Sequence, residues 1–386
     1  MKLFPTISTN IILLGVVSFL NDLSSEMITP ILPLFIASLG GAGIATGLVG
    51  GIRDSVTSLL KVVSGYISDK TGHRKRLVFS GYFLSSVFKM LLALSKAWQH
   101  VLLFVGLERI GKGMRDAPRD AIIAQSMPHK KGKAFGFHRT LDTAGAILGS
   151  IVAVILFAML GLSFKTIIII SAAVAFTSLI PLWFVKETRR EKNNIRFRAT
   201  LFALPKKLQL FLVITILFGL ANFSYMFFIL KAQNLFGVSN GFTGPLLLYV
   251  LYNIVYASSS TPFGALSDKI SRKKVLIFGY ALFAVTTTGF AVFHSVGAYI
   301  VLFALYGIVN GIINGIERAF VADLSQTGVH GTSLGAYHTT KGLAALPASI
   351  IAGILWKFSP ETTFWYGALF STVAVVAFFA TWKKYD

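Results

Sequence analysis

The chain has no cysteine and few charged residues for its length of 386 residues. Without thiols it can form neither disulfides nor thiolate metal sites. Charged residues make up 13% of the sequence, whereas a soluble domain carries about 25%. Hydrophobic residues reach 54%, and the mean hydropathy is +0.71. This composition excludes an ordinary soluble domain and indicates an integral membrane protein.

Apolar stretches long enough to cross a bilayer as helices, at roughly 20 residues each, recur about twelve times. A membrane β-barrel would show shorter, alternating segments of about ten residues instead. We therefore expect an all-α integral membrane protein. The predicted spans lie at residues 11–38, 44–67, 77–96, 99–125, 134–160, 165–186, 208–235, 241–266, 275–294, 298–322, 333–357 and 360–382.

Acids are scarce as well, with 15 Asp and Glu against 36 Lys and Arg, which gives a net charge of +21. Such an excess could indicate a nucleic-acid partner, but its position argues against one. Basic residues cluster in the connections near residues 70–76, 130–133 and 269–274, after even-numbered spans. The positive-inside rule then places both termini and the central segment in the cytoplasm. We expect a multi-pass protein of the cell (inner or plasma) membrane whose partner is the lipid bilayer.

The two halves of the sequence are copies of each other. GYISDK at Gly65–Lys70 recurs as GALSDK at Gly264–Lys269, 199 positions later. The basic segment 187–207 separates an N-terminal six-helix bundle, 1–186, from a C-terminal six-helix bundle, 208–386. Six spans in each copy give both copies the same orientation, so the repeat is a parallel one, as in transporters that work by alternating access.

The repeated loop resembles a signature of the major facilitator superfamily, G-x-L-x-D-R-x-G-R-K-x-x-L. Gly65, Asp69 and Gly72 match it in the first copy, whereas Ser271 stands at the second glycine of the second copy. The fourth span resembles the family's R-x-x-Q-G-x-G signature. The fifth span partly resembles its antiporter signature through Gly136, Gly145 and Gly149, and we expect these glycines to pack against the second half.

The resemblance implies the twelve-helix fold of that family, a small-molecule substrate, no cofactor and a monomer. It also implies that the loop signature forms a cytoplasmic gate, in which Asp69 pairs with a basic residue of a neighbouring helix in one state only. The predicted gating residues are Gly65, Asp69, Gly72, Arg74, Gly264, Asp268 and Arg272.

The carboxylates of the first half are candidates for proton coupling. Burial of a carboxyl group in an apolar helix favours its protonated form unless a cation compensates. Asp22 and Glu26 have no basic residue in their own span, and Pro30 and Pro33 should bend the helix just after them. They are our first choice, and the full candidate set is Asp22, Glu26, Asp54 and Asp142.

A polar stripe on the fourth span is the strongest sign of a substrate site. Seven ionisable residues between 108 and 120 share one side of the helix and cannot face lipid. Its predicted substrate-facing cations are Arg109, Lys112 and Arg115, while its other charges are expected to be their partners. The second half lacks most of these charges and should form a more neutral, aromatic wall. The other predicted substrate residues are Arg53, Tyr225, Lys231, Asn310, Asn314, Glu317 and Arg318.

The expected function is proton-coupled export of a small organic solute, anionic or zwitterionic because bases outnumber acids in the stripe. An exporter of the same fold for a divalent metal such as iron, or for a metal chelator, is the alternative. The seven histidines have no metal-ligand spacing. Two G-x-S-x-G sequences lie in short loops without the strand–turn–helix of a nucleophile elbow, so an enzyme is disfavoured. A sensor or receptor without transport activity is a further alternative.

Overall fold

The computed structural model describes residues 7–128, 130–187, 204–236, 243–325 and 330–382. Within these ranges every regular element is helical, which confirms the predicted all-α class. The helices of the first half are α1 (Thr9–Ile28), α2 (Leu32–Ser38), α3 (Gly43–Thr71), α4 (Arg74–Leu92), α5 (Trp98–Ser126), α6 (Lys131–Val154), α7 (Phe164–Thr177) and α8 (Leu179–Trp183). Those of the second half are α9 (Lys206–Ala221), α10 (Met226–Phe236), α11 (Thr243–Ile270), α12 (Arg272–Val292), α13 (Val296–Leu324), α14 (His330–Leu355) and α15 (Pro360–Ala380).

The predicted spans all fall on these helices, and three of them are broken. The first divides into α1 and α2 at Pro30, which confirms the expected bend: proline lacks the N–H that the helix ladder needs. The sixth divides at Ser178 and the seventh after Ala221. The fifth ends in a π-helical turn, Ile155–Met159. Most of the predicted linker 187–207, and the first two residues of the span predicted at 241–266, lie outside the described residues.

Within the described part of the chain, seven helical segments are long and apolar enough to cross a membrane. Helix α5 is not one of them, because its polar stripe carries four charged residues within the length of a single span: Glu108, Arg109, Lys112 and Arg115. Its charged side chains are instead mostly buried in protein, as the cost of an exposed charge in lipid requires.

Packing divides the described chain into two compact units. The first comprises the residues up to Phe35 and those from Val56 to the central segment. The second comprises Ile36–Ser55 and the residues after the central segment. The first part of α3 therefore packs with the second half of the sequence. A Cβ on Gly47 would lie 2.2 Å from the carbonyl oxygen of Ser349 in α14.

The two units have different interiors. The second unit contains a continuous core rich in phenylalanine, in which Phe218 stacks on Tyr280 with ring centroids 4.0 Å apart. A core cluster of the first unit is aliphatic, centred on Ile11, Leu14 and Val17 of α1. The remaining interior of the first unit includes the buried charges described next.

Candidate functional site

Two of the predicted proton-coupling carboxylates meet where α1 packs on α6. Asp22 of α1 lies within hydrogen-bonding reach of Asp142 of α6. The helices approach closely because α6 carries glycines at the contact. A Cβ on Gly145 would lie 2.3 Å from the carbonyl oxygen of Phe19, and one on Gly149 would lie 2.3 Å from that of Leu23. These glycines thus place Asp142 beside Asp22.

This contact corrects one expectation from the sequence. Gly145 and Gly149 were expected to pack against the second half, but the atoms that they approach most closely belong to α1 of the same unit. Gly136, the third glycine of the partial antiporter signature, has nothing within 4 Å of the position of its missing Cβ. The glycine spacing correctly indicates a close helix contact, but not which helix makes it.

Basic residues surround the carboxyl pair. The Arg139 Nη1 donates to Asp142 Oδ2 at 2.6 Å. Lys112 of α5 is half-buried and interacts electrostatically with both Asp22 and Asp116. Two carboxyl groups can share a hydrogen bond only when one of them carries a proton. The α1–α6 contact can therefore hold a proton, with Arg139 and Lys112 as neighbouring cations.

The other two proton-coupling candidates lie elsewhere. Glu26 follows Asp22 by one helical turn and accepts a hydrogen bond from Thr29 Oγ1 at 3.5 Å. Asp54 is exposed and belongs to the second unit. The structure therefore brings Asp22 and Asp142 together, leaves Glu26 one turn along the same helix, and assigns Asp54 to the other unit.

The charged side chains of the polar stripe on α5 have partners on α5 itself and on neighbouring helices. Arg109 forms an ion pair with Glu108 at 2.8 Å. Arg115 is only 1% exposed: its Nη1 donates to Ser85 Oγ of α4 at 2.8 Å, and its guanidinium lies 4.1 Å from the centroid of the Tyr82 ring. Of the three predicted substrate-facing cations, Arg109 and Arg115 are thus held by protein partners.

The remaining acids of the stripe are paired, as expected from the sequence. Asp116 forms an ion pair with Lys61 of α3 at 2.8 Å, and Asp120 one with Arg119 at 2.9 Å. Lys89 of α4 was not among the predicted site residues. Its Nζ is buried and donates to Ser24 Oγ and to Ser25 Oγ, at 3.0 and 2.9 Å. These partner hydroxyl groups belong to another helix, and a contact between two helices leaves no periodic pattern in the sequence that could have identified Lys89.

In the second unit, Arg53 and Tyr225 are in direct contact. The Arg53 Nη1 donates a hydrogen bond to the Tyr225 hydroxyl group, and its guanidinium lies 4.9 Å from the ring centroid. Tyr225 begins a run of tyrosine rings that continues through Tyr249 and Tyr252. Tyr252 also stacks on Tyr306 of α13, with centroids 4.9 Å apart.

Only Tyr225 of this run was in the predicted site. The signal that could have identified the others is the spacing of Tyr249, Tyr252 and Tyr256, at i, i+3 and i+7 on α11, which places three rings on one helix face. Tyr306 belongs to another helix and could not be joined to them without the fold.

On α13, Asn310 and Arg318 bond to the helix backbone. Asn310 Nδ2 donates to the carbonyl oxygen of Tyr306 at 3.0 Å, and Arg318 Nε donates to that of Asn314 at 2.8 Å. Asn310 and Asn314 are half-buried, and Arg318 is exposed. These predicted substrate residues share a partly accessible face of α13.

Glu317 has a different environment from its neighbours. It is fully buried and accepts hydrogen bonds from the hydroxyl groups of Tyr280 and Tyr337, at 2.7 and 2.6 Å. Lys341 Nζ lies 2.9 Å from it. This arrangement links α12, α13 and α14. Lys231, also a predicted substrate residue, is buried and pairs with Glu361 at the start of α15.

The predicted gating residues form ion pairs in both copies of the loop signature. Arg74, at the start of α4, pairs with Asp69 of α3 at 3.0 Å. In the second copy Arg272 pairs with Asp268 at 3.0 Å and also with Asp323 of α13. Gly65 has the Ala117 Cβ 3.4 Å from the position of its missing Cβ, whereas Gly264 has nothing within 4 Å.

The backbone conformation explains why the signature has a glycine at its second glycine position. Gly72 has a φ of 71°, and Ser271, its counterpart, has a φ of 114°. Both values lie in the region that favours glycine. The second copy therefore keeps the turn although it has lost the glycine.

The described residues contain no group of three or more His, Asp or Glu side chains that could hold a metal ion. The buried carboxylates that they do contain are instead engaged with Lys, Arg and Tyr side chains, as at Asp116 and Glu317.

Comparisons with known proteins agree on one family. The sequence model of the Major Facilitator Superfamily matches residues 14–252 and 211–385. An uncharacterized MFS-type transporter of Methanocaldococcus jannaschii is 51% identical over 372 residues, covering 95% of this chain and 94% of the relative. The multidrug resistance protein MdtG of Enterobacter lignolyticus is 28% identical over 274 residues, covering 67% of this chain and 64% of MdtG.

The structural comparison is consistent with these matches. The crystal structure of the nucleoside transporter NupG superimposes with a TM-score of 0.80, covering 97% of this chain and 99% of NupG. The sequence identity is 15%, so the likeness shows the fold alone.

Proposed function

This chain belongs to the major facilitator superfamily, and we propose that it is a proton-coupled transporter that exports a small anionic or zwitterionic organic solute. Its family is one of multi-pass membrane transporters, which are not enzymes. The solute, the proton coupling and the direction of transport are the proposed parts. So are the placement in the cell membrane and the cytoplasmic position of both termini.

The observation that carries the proposal is that the carboxyl groups of Asp22 and Asp142 lie within hydrogen-bonding reach of each other where α1 packs on α6. Two carboxyl groups at this separation can share one proton, so the pair is a defined place at which a proton can be taken up and released. The contact joins α1 to α6, so its protonation changes how strongly the two helices attract each other. A group of this kind can couple a proton gradient to a conformational change, provided that the two conformations bind the proton with different affinity.

Lys112 supplies the link to the solute. It is half-buried and interacts electrostatically with Asp22. A solute carboxylate that binds Lys112 draws this cation away from Asp22 and favours proton uptake by the carboxyl pair. A solute ammonium group that approaches Asp22 has the opposite effect and displaces the proton. Exchange of solute for protons therefore depends on an ammonium group that reaches Asp22, as a zwitterion supplies, whereas a simple anion favours movement of solute and proton together.

The loop signatures supply the gate in this proposal. The pairs Asp69–Arg74 and Asp268–Arg272 each lie at the junction of two consecutive helices. Arg272 extends the second pair to Asp323 of α13. Ion pairs at such junctions can be made in one conformation and broken in the other, which is what a two-state gate requires.

The test is solute-driven proton movement in liposomes that contain the purified protein and an internal pH-sensitive dye. Organic anions, zwitterions, organic cations and divalent metal ions are supplied in turn. We expect zwitterions to drive proton exchange, and both Asp22→Asn and Asp142→Asn to abolish it. Asp120→Asn is the matched control, since Asp120 is paired with Arg119 outside the carboxyl pair, and it should keep the proton flux.

Three outcomes would overturn the proposal. If no solute moves protons through the wild-type protein, it is not proton-coupled. If Asp22→Asn and Asp142→Asn both keep the full flux, the carboxyl pair is not the proton site. If only divalent metal ions move protons, the substrate is a metal, despite the lack of a three-residue cluster in the described part of the chain.

A further inference from the structure

We propose that Ser18 and His138 form a second proton-binding site beside the carboxyl pair of the first unit, and that Arg119 controls whether His138 can take up a proton. The proposal rests on the function proposed above and extends its proton site to residues to which nothing in the comparisons assigns a role. Neither Ser18 nor His138 was among the predicted site residues.

The new site is the next layer of the contact between α1 and α6. Ser18 Oγ lies 2.8 Å from His138 Nε2. Ser18 precedes Asp22 by one turn of α1, and residues four apart on a helix are neighbours on one face. His138 precedes Asp142 by one turn of α6 in the same way. The glycine contacts described above advance by four residues on both helices, so α1 and α6 run in parallel. The two pairs therefore lie in consecutive layers of one helix contact.

The hydrogen bonds around Ser18 determine the protonation state of His138. Ser18 is 1% exposed, and within the described structure its hydroxyl group has two partners: His138 Nε2 and, at 3.4 Å, Arg119 Nη1. An arginine side chain can only donate, and a buried hydroxyl group needs an acceptor for its own hydrogen. Ser18 therefore accepts from Arg119 and donates to His138 Nε2. An imidazole that accepts in this way is neutral and carries its hydrogen on Nδ1.

A proton on His138 Nε2 is incompatible with this arrangement. Ser18 would then face two donors, His138 and Arg119, and its own hydrogen would have no acceptor. The two positive charges would also be separated by a single hydroxyl group. Once Arg119 leaves, Ser18 can accept from the protonated ring, and its own hydrogen can turn to a backbone carbonyl oxygen of α1. Arg119 thus determines when His138 can hold a proton.

The charges around His138 connect it to the carboxyl pair. His138 is 5% exposed. The charged groups that interact with it come from three helices: Asp22 of α1, Asp116 and Arg119 of α5, and Arg139 of α6. When the proton moves, one O–H bond of the carboxyl pair breaks and one N–H bond forms at the free nitrogen of His138. Both carboxylates are then ionised, and the attraction between Asp22 and the new imidazolium offsets part of their repulsion.

Arg119 connects this site to the helix that carries the polar stripe. It belongs to α5, as does Lys112, to which the proposed solute binds. Its ion pairs with Asp116 and Asp120, at 3.7 and 2.9 Å, are made on the same helix and move with it. A shift of α5 relative to α1 therefore breaks the contact with Ser18 and keeps both ion pairs. Solute binding to α5 can in this way determine when the proton moves.

The second copy of the repeat lacks this site. Under the 199-residue offset, Ser18 corresponds to Leu217 and His138 to Tyr337. Leu217 has no polar side chain, and the Tyr337 hydroxyl group donates to Glu317 instead. The hydroxyl–imidazole pair is therefore absent from the same half that lacks the carboxyl pair, as expected if the two pairs act together.

The first arm of the experiment is His138→Gln in the liposome assay. The amide oxygen of glutamine can accept the Ser18 hydrogen, but it cannot take up a proton. We expect the solute-driven proton flux to fall by roughly a hundredfold, the contribution of one proton-transferring group. Exchange of labelled for unlabelled solute needs no net proton movement and should be unchanged, which also reports correct folding. His294→Gln, a change at an exposed histidine between α12 and α13, is the matched control and should keep the flux.

The second arm is the proton leak without solute. Arg119→Met frees Ser18 from the cation, so we expect the leak to rise several-fold, and the double variant with His138→Gln should abolish the rise. Asp116 keeps its partner Lys61 in this variant. Lys165→Met, at an exposed lysine of α7, is the control for loss of a cation and should not leak.

Three results would overturn the proposal: wild-type proton flux in His138→Gln, no leak in Arg119→Met, or a leak that survives the double variant. A purely structural role of His138 predicts none of the expected changes in leak. If Asp22→Asn and Asp142→Asn abolish the flux while any of these three results is found, only this inference fails and the proposed function stands.

Discussion

The two halves of the sequence are copies of each other, but the two units, each built mainly from one half, differ in their buried chemistry. Under the 199-residue offset, Asp142 corresponds to Lys341, and Glu26 corresponds to Tyr225. The first unit buries a network of acids and bases that includes the Glu108–Arg109 pair. The second unit buries aromatic rings and one acid, Glu317, that is fully enclosed.

Under the proposed function, this difference separates two tasks of a coupled transporter. A proton is held by carboxyl groups, and the first unit supplies a pair of them at Asp22 and Asp142. A solute is selected by shape and by a few polar contacts, and most of the predicted substrate residues, among them Arg53 and Tyr225, lie in the second unit. The repeated backbone could stay the same while the side chains at equivalent positions diverged.

The largest expected effect is on stability, when one buried acid of each unit is neutralised: Glu317 in the second unit and Asp116 in the first. Glu317 is fully buried, and Glu317→Gln leaves the Lys341 ammonium group, whose side chain is 22% exposed, beside a neutral amide. Removal of one partner of a buried pair costs about 3 kcal/mol. Asp116→Asn should cost less, about 1 kcal/mol, because Lys61 has a side-chain exposure of 32% and can turn to water. Thermal unfolding in detergent should therefore give the lower Tm for Glu317→Gln.

A double variant tests the reason for that difference. Adding Lys341→Met to Glu317→Gln removes the unpaired charge, so it should recover part of the lost stability. A double variant no more stable than Glu317→Gln would show that the hydrogen bonds from Tyr280 and Tyr337, rather than the charge, hold this site together. Equal Tm values for Glu317→Gln and Asp116→Asn would remove the proposed contrast between the units.

An intermediate effect is expected where α6 packs on α1. Gly145→Ala and Gly149→Ala each place a Cβ 2.3 Å from a carbonyl oxygen of α1, so the backbones must move apart. Overpacking of this kind costs about 1–3 kcal/mol, and it should also separate Asp22 from Asp142. We expect each variant to lose most of its solute-driven proton flux in liposomes, while its Tm falls only moderately.

Gly136→Ala is the matched control for these variants, since it is the same change on the same helix with nothing within 4 Å. It should keep both stability and coupling. If Gly145→Ala and Gly149→Ala couple protons as well as Gly136→Ala does, the close approach of α1 and α6 has no part in coupling. Proton coupling could then not be assigned to this contact in the first unit.

Much of the fold followed from hydropathy, because a bilayer imposes a length on every span. Some predicted spans ended too early, because a helix can extend into water where hydropathy falls. Helix α3, for example, continues to Thr71, beyond the expected residue 67. The break after Ala221 was missed because the stretch stays apolar through it. Periodicity placed the charges of α5 away from lipid, but it could not tell that Arg115 faces Tyr82 of α4. Likewise, Lys231 and Glu361 lie 130 residues apart, and only the fold brings them together.

The smallest expected effect concerns the two loop signatures, which keep one turn with different residues. Ser271 has a φ of 114°, a conformation that costs a residue with a Cβ about 1–3 kcal/mol. Ser271→Gly relieves that strain and loses about 0.5–1 kcal/mol to the greater freedom of glycine in the unfolded chain, so we expect a net gain of about 1 kcal/mol. Gly72→Ser should destabilise the first copy by a similar amount. Ser325→Gly is the control, since Ser325 has an ordinary φ of −84° and should show no gain in thermal unfolding. If Ser271→Gly were no more stable than wild type, the second copy would have adapted its turn to serine, and the two signatures would differ in backbone as well as in sequence.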